Sequence, residues 1–236
     1  MPPLSALAVF AALLVASPVG AEELAPNLSR SVEATRPGPA RALSTALRLY
    51  AEGEAQKDAL SMAVAARLAA RIEIRAASGW ARRDGPASTR PAEIRTPAVS
   101  PDTLLSGAAM TGARLMAEED ALLADLLADL PPPGARDRIG ALSMAEDRLG
   151  PGSGAIWDIP FPGQSPAEIA VFPTGPGAIL WRVEDAGGHP VCPETAAAAL
   201  AACAFTPDRN GFFRVIVTNG AQTANDGEAG YLLLAN

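Results

Sequence analysis

Short apolar segments separated by turn residues fill the last third of this 236-residue chain. From residue 154 onward, runs such as AIWDIPF, AEIAVF and AILWRVED are each followed by a stretch rich in glycine or proline. In AEIAVF and FRVIV, β-branched and aromatic residues occupy every second position, as in β-strands. Because the runs are short and the turns frequent, residues 154–236 are predicted to form an antiparallel β-sandwich rather than βαβ units.

Residues 40–135 have the periodicity of helices instead. One apolar stripe is formed by Leu43, Leu47 and Tyr50, and a second one by Leu60, Val64, Leu68 and Ile72. The first stripe predicts an amphipathic helix that ends at Gly53, since glycine readily adopts the left-handed conformation of a helix end. The second stripe predicts another helix, and the two would bury their stripes against each other as a helical hairpin.

One or two further helices are expected before the sandwich. Ser100 is a suitable N-cap and Pro101 a suitable first helical residue, so a helix is predicted to begin there and to run to Met116. A break is expected near Asp120, and the prolines from Pro131 end the helical pattern. Residues 78–100 are expected to be a loop and residues 136–153 a linker. The predicted fold class is α+β, with a helical N-terminal region followed by an antiparallel β-sandwich.

The N-terminus resembles a secretory signal peptide. The apolar run at residues 4–15 is shorter than the ~20 residues of a membrane span and is followed by small residues, as in a signal peptide. Cleavage is predicted between Ala21 and Glu22, which leaves residues 22–39 as a flexible mature N-terminus. The mature protein is therefore expected in the periplasm or the medium, with no membrane span.

The charge balance argues against nucleic acid as a partner. The chain carries 19 basic and 26 acidic residues, for a net charge of −7. Nucleic-acid binding requires a dense basic surface that displaces counterions from phosphates, and anionic membranes favour the same type of surface. Neither partner is expected.

Both cysteines and the only histidine lie within HPVCPETAAAALAAC, residues 189–203. Three interpretations compete: a metal site, a thiol active site and a disulfide. Zinc requires four ligands, and only His189 is near Cys192 and Cys203. An exported chain with an even number of cysteines favours pairing. A Cys192–Cys203 disulfide is therefore predicted, with no metal and no cofactor.

Motifs of known enzymes are not found in the sequence. A serine hydrolase would have to use His189, and GPGSGA lacks the outer glycines of the G-x-S-x-G motif. His189 is expected to be a solvated turn residue, and the acidic group from Glu118 to Asp120 is expected to be solvated or to cap a helix. Trp157 and Trp181 fall in predicted strands and are expected in the sandwich core.

The C-terminal segments resemble the bacterial pre-peptidase C-terminal domain. The resemblance rests on PAEIAVFPTGPGAILWRVEDAGGHPVC, AFTPDRNGFFRVIVTN and YLLLAN. It implies a secreted jelly-roll-like module, usually an accessory to an enzyme or a helical region, with Asp185–Gly188 at a turn and the cysteines at the ends of neighbouring strands. Some members of that family bind calcium through aspartates that are absent from residues 175–179, so no calcium site is implied here.

Two functions remain open at this point. The first is an exported, non-catalytic binding protein of the bacterial cell envelope, whose partner is a protein or a polysaccharide. The alternative is a secreted hydrolase with an unrecognised active site, in which a carboxylate of the helical region takes part. The binding protein is favoured over the hydrolase because the motifs of known enzymes are absent from the sequence.

Overall fold

The computed structural model describes residues 25–29, 37–131, 134–221 and 227–236. Five α-helices are present in these ranges: α1 (Pro39–Gln56), α2 (Ala59–Ala69), α3 (Pro101–Leu105), α4 (Ala108–Met116) and α5 (Ala121–Ala128). Ten strands are present: β1 (Ile72–Ala76), β2 (Ala81–Gly85), β3 (Gly140–Leu149), β4 (Gly154–Phe161), β5 (Ala167–Pro173), β6 (Ile179–Asp185), β7 (Pro190–Ala196), β8 (Ala202–Phe205), β9 (Gly211–Asn219) and β10 (Ala229–Ala235). The fold class is α+β, as predicted. No helix in the described ranges is long and apolar enough to cross a membrane.

The strands form two five-stranded sheets that pack as a sandwich. The inner sheet has the order β1-β3-β10-β5-β8, and the outer sheet has the order β2-β4-β9-β6-β7. Strands β3 to β10 pass repeatedly between the sheets and pair antiparallel within each of them. This arrangement of eight strands in two sheets is jelly-roll-like, as the sequence predicts. Strand β1 extends the inner sheet in parallel with β3, and β2 extends the outer sheet.

The helices cover the inner sheet, so the protein has three layers. Strand β5 is buried along its whole length because both of its faces are covered. Ala170 and Phe172 belong to the core between the sheet and the helices, which also contains Leu43 of α1. Ile169 and Val171 belong to the core between the two sheets. The alternation in AEIAVF therefore separates two buried faces rather than a buried face from a solvated one.

The helical hairpin is present, but its packing differs from the prediction. Helix α1 continues through Gly53 and ends at Gln56, where Lys57 rather than a glycine adopts the left-handed conformation. Gly53 lies instead in the contact with α2. A Cβ atom at residue 53 would lie 2.8 Å from Cγ of Met62, so a larger residue would push the helices apart. Helix α2 buries mainly alanines, whereas Leu60 and Val64 are about half exposed. Alanines rather than Leu60 and Val64 occupy the contact with α1, because small residues allow the two helices to pack more closely.

Three short helices follow the hairpin instead of one or two. Ser100 caps α3, and its hydroxyl accepts a hydrogen bond from the backbone N–H of Asp102. The helix expected to run to Met116 is interrupted between Leu105 and Ala108. The expected break before α5 is present, and Asp120 caps that helix by accepting hydrogen bonds from two backbone N–H groups.

Three strands lie outside the segment predicted to form the sandwich. Ile72 begins β1 instead of ending the second helix, and the supposed loop 78–100 contains β2. The supposed linker 136–153 contains β3, which pairs with both β1 and β10. Strand β3 therefore lies before the expected boundary at residue 154, and the sheets take strands from both sides of the helices α3 to α5. Strand β2 escaped prediction because ARRDG is an exposed edge strand with no apolar face.

The segment 25–29, expected to be flexible, is held against the sandwich. The side chain of Asn27 accepts a hydrogen bond from the backbone N–H of Arg209 and donates one to the Arg209 carbonyl oxygen. Asn27 is itself buried, and Leu28 packs against the core between the sheets. Because the carbonyl oxygen and the NH₂ group of this buried amide are both hydrogen-bonded, Asn27 holds this part of the chain in place.

Candidate functional site

The predicted disulfide joins Cys192 and Cys203, whose Cα atoms are 6.0 Å apart. Cys192 lies within β7 and Cys203 within β8, which are consecutive strands of different sheets. Each is the last strand of its sheet. The disulfide therefore connects the two sheets along one edge of the sandwich. The expected position at the ends of neighbouring strands does not include this connection between sheets.

A chain of hydrogen bonds connects the sheets near the opposite edge. The indole N–H of Trp157 on β4 donates to the hydroxyl of Tyr231 on β10, with 2.9 Å between the heavy atoms. That hydroxyl donates to Asp147 on β3 at 3.1 Å, and Nε of Arg82 on β2 donates to the same carboxylate oxygen at 3.0 Å. Trp80 packs edge-on against Trp157. Four strands from both sheets thus share one polar network.

The hydroxyl of Tyr231 is held in its protonated form. Burial raises the pKa of Tyr231 well above its ordinary value, and the neighbouring Asp147 carboxylate raises it further. A protonated hydroxyl can accept from Trp157 and donate to Asp147 at the same time. The indole N–H of Trp157 and the hydroxyl of Tyr231 are therefore both satisfied within the network.

His189 is a partner of Asp185 rather than a solvated residue. The carboxylate of Asp185, which is buried, accepts hydrogen bonds from the backbone N–H groups of His189 and Asn27 at 2.9 and 2.8 Å. Nδ1 of His189 lies 3.1 Å from both carboxylate oxygens. Burial alone would raise the pKa of Asp185, but the hydrogen bonds from Asn27 and His189 lower it below its ordinary value.

This arrangement closes the turn between β6 and β7 and also holds the N-terminal segment in place. In a catalytic triad, an aspartate orients the histidine through Nδ1 and a nucleophile contacts Nε2. Within the described ranges, every hydrogen bond of the His189 ring is made to Asp185. The described residues contain no cluster of three or more His, Cys, Asp or Glu side chains arranged to hold a metal ion.

Glu168 attaches the helical layer to the inner sheet. This residue of β5 is buried, and its carboxylate faces the N-terminus of α1. Oε1 accepts from the backbone N–H of Gly38 at 2.9 Å, and Oε2 accepts from those of Ala40 and Arg41 at 2.9 and 3.1 Å. The first turn of a helix has free N–H groups and a partial positive charge, and the carboxylate satisfies both. Nε of Arg41 lies 3.5 Å from Oε1 and adds an ion pair.

The approach of Glu168 to α1 depends on a glycine. A Cβ atom at residue 38 would lie 2.6 Å from the Glu168 carboxyl carbon, so a larger residue would displace the carboxylate. Local sequence patterns do not predict this cap because its partners are about 130 residues apart. The available signal was a single acid in the apolar strand AEIAVF, since a buried charge requires a partner.

The outer face of the helical layer exposes large apolar side chains. The most exposed is Leu122 of α5, at 84% of its maximum. Leu126 is one helical turn further on the same helix and is also exposed, as are Leu115 and Met116 at the end of α4. The neighbouring Leu127 is completely buried, so α5 has one face in the core and a second apolar face in solvent.

The structure brings together some of the residues that the sequence singled out. The cysteines form the predicted disulfide, and Trp157 and Trp181 lie in the sandwich core as expected. Ala21 and Glu22, the predicted cleavage site, lie outside the described residues. No protein-family model, curated protein or solved structure matches the chain.

Proposed function

We propose that this chain is an exported, non-catalytic binding protein of the bacterial cell envelope, built on a sandwich of the pre-peptidase C-terminal type. The sandwich is the scaffold and the helical layer is the binding part. The observation that carries this proposal is the apolar outer face of α4 and α5, defined by Leu115, Met116, Leu122 and Leu126. Leu115 and Met116 are consecutive, and Leu122 and Leu126 lie one helical turn apart; neighbouring exposed apolar side chains are typical of interaction surfaces.

Export is supported by two independent features. The disulfide fits an oxidising compartment such as the periplasm or the medium. The apolar run at residues 4–15, with its small residues before Glu22, fits a signal peptide. N-terminal sequencing of material from the periplasm or the medium should give a chain that begins at Glu22. An intact Met1 on protein from the cytoplasm would contradict export.

The partner is proposed to be a protein rather than a polysaccharide, because leucine and methionine side chains gain most from burial against apolar surface. A photo-crosslinking amino acid at residue 122 or 126, introduced in the native host, should give a discrete crosslinked product. The matched control is the same amino acid at Ala186, an exposed residue of the turn between β6 and β7. Equal yields at Ala186 and at the helical positions, or no product at the helical positions, would exclude this surface.

A further inference from the structure

A second feature of the helical layer is a cavity with a volume of about 230 Å³ between α2, α4 and the segment after α5. Its walls include the apolar residues Leu104, Met110, Leu130 and Pro131. Two arginines, Arg67 of α2 and Arg114 of α4, also line it. None of the described lining residues is acidic.

Both arginines retain hydrogen-bonding capacity. NH1 of Arg67 donates to the carbonyl oxygen of Pro131 at 2.7 Å, and NH2 of Arg114 donates to that of Leu127 at 3.3 Å. Neither forms an ion pair with a carboxylate within the described ranges. A guanidinium group has five N–H donors, so each arginine can offer further donors to a ligand. The bonds to the carbonyl groups also hold both side chains beside the cavity.

We infer that this cavity binds a small carboxylate with an apolar stem. Two guanidinium groups without acidic partners favour an anion, and carboxylates match their geometry. The apolar walls favour a hydrocarbon chain over a hydrated ion. This inference rests on the proposed role of the helical layer as the binding part, but it concerns the cavity and not the exposed leucines.

The volume indicates the size of the part of the ligand that the cavity can bury. One water molecule occupies about 30 Å³ in the liquid, so the cavity holds roughly eight groups of that size. It is smaller than the ~300–1,000 Å³ of pockets for drug-sized ligands. Hexanoate, with six carbons and two oxygens, matches this size. The same chemistry is found in the C-terminal carboxylate of a peptide that ends in leucine, so N-acetyl-leucine is the probe for that source.

The test is a titration of the full mature protein, with its methionine methyl groups labelled for NMR. Met110 lines the cavity, and Met144 on β3 is the internal control. Hexanoate or N-acetyl-leucine should shift the Met110 signal saturably and leave Met144 unchanged, and the tighter of the two identifies the source. Hexanol, which has the stem without the charge, should bind at least about tenfold more weakly, as expected when charge-assisted hydrogen bonds are lost.

Variants distinguish the contribution of the arginine charges to binding from that of the shape of the cavity. Arg67→Gln and Arg114→Gln should each weaken hexanoate binding by about tenfold or more. The matched control is Arg48→Gln, because Arg48 of α1 also donates to backbone carbonyl oxygens, those of Ala199 and Leu200, but does not line the cavity. Ala70→Leu, at the exposed rim, should fill the cavity and abolish binding while both arginines remain.

Two results would overturn the inference: no saturable shift of Met110 with either carboxylate, or equal binding of hexanoate and hexanol. Unchanged affinity in the Arg67 and Arg114 variants would overturn it as well. The crosslinking at residues 122 and 126 is independent of these titrations. A crosslinked partner without carboxylate binding would therefore refute only the cavity inference, and binding without a crosslink would refute only the protein partner.

Discussion

Replacement of Glu168 by glutamine tests whether this carboxylate holds the helical layer on the sandwich. Glutamine has one carbonyl oxygen where glutamate has two carboxylate oxygens. If that oxygen takes the place of Oε2, it still accepts hydrogen bonds from the backbone N–H groups of Ala40 and Arg41. The backbone N–H of Gly38 then faces the amide NH₂ group, which cannot accept a hydrogen bond. The variant also loses the negative charge at the N-terminus of α1.

The expected cost follows from these two losses. A buried donor left without a partner costs about 1–3 kcal/mol. The loss of a carboxylate at a helix N-terminus adds about 0.3–2 kcal/mol, toward the upper end for a buried site. We therefore expect Glu168→Gln to lower the free energy of unfolding by about 3 kcal/mol, a large part of the ~5–15 kcal/mol that is usual for a domain.

The matched control is Asp58→Asn. Asp58 caps α2: its Oδ1 accepts from the backbone N–H groups of Leu60 and Ser61, and its Oδ2 accepts from the hydroxyl of Ser61. Asparagine retains that oxygen and is as good an N-cap as aspartate, so the control should change the free energy by less than about 0.5 kcal/mol. It removes the same charge from a helix N-terminus and leaves both backbone N–H groups with their acceptor, while the hydroxyl of Ser61, which loses Oδ2, is partly exposed and can bond to water.

The assay is urea denaturation followed by two signals. Tryptophan fluorescence reports on the sandwich, where Trp157 and Trp181 lie, and far-ultraviolet circular dichroism reports on the helices. Because α1 shares a core with the inner sheet, both signals should shift together. A Glu168→Gln midpoint equal to that of Asp58→Asn would refute the assignment of Glu168 as the anchor of the helical layer.

Three further predictions concern the sandwich. Serine at both Cys192 and Cys203 should cost about 2.8 kcal/mol, from the entropy of a closed loop with a sequence separation of 11, measured by urea denaturation. Tyr231→Phe removes the acceptor of a buried indole N–H and should lower the free energy of unfolding by about 1–3 kcal/mol. Tyr50→Phe is the control and should cost less, because the hydroxyl of Tyr50 has no hydrogen bond to a described residue. Asp185→Asn should reduce the acid dependence of stability, because the pKa of Asp185 is lower in the folded than in the unfolded protein. The contribution of this carboxylate to the free energy of unfolding is complete above the unfolded-state pKa of about 3.9. It is lost as the pH falls through the folded-state pKa.

Each of these predictions can fail clearly. Unchanged stability of the double serine variant would show that the disulfide does not restrict the unfolded chain. Equal costs of the two tyrosine variants would show that the network near Asp147 adds nothing beyond packing. A variant at Asp185 whose stability falls with acid as steeply as that of the wild-type protein would assign the acid dependence to other carboxylates.

The sequence predicts the sandwich where local pattern and burial agree, and misses what depends on distant partners. AEIAVF and FRVIV are recognisable because their apolar residues repeat with the period of a strand. Ile72 continues a four-residue apolar spacing that predicts a helix, and only pairing with β3 makes its segment IEIRA a strand. The disulfide was predictable from compartment and cysteine number. Its role in joining two sheets depends on topology, which local patterns do not contain.

The links between the two ends of the chain determine the order in which the protein can be completed. Asn27 finds its partner in Arg209, 182 residues later, and β1 pairs with β3 across the three helices α3 to α5. A chain made from its N-terminus has no partner for either segment until much later, and such long-range contacts slow folding. Residues 25–29 are made early, yet they have their full set of partners only after residue 209 has been made. Strand β10 follows later still and pairs with both β3 and β5, so the inner sheet is completed by the last residues of the chain.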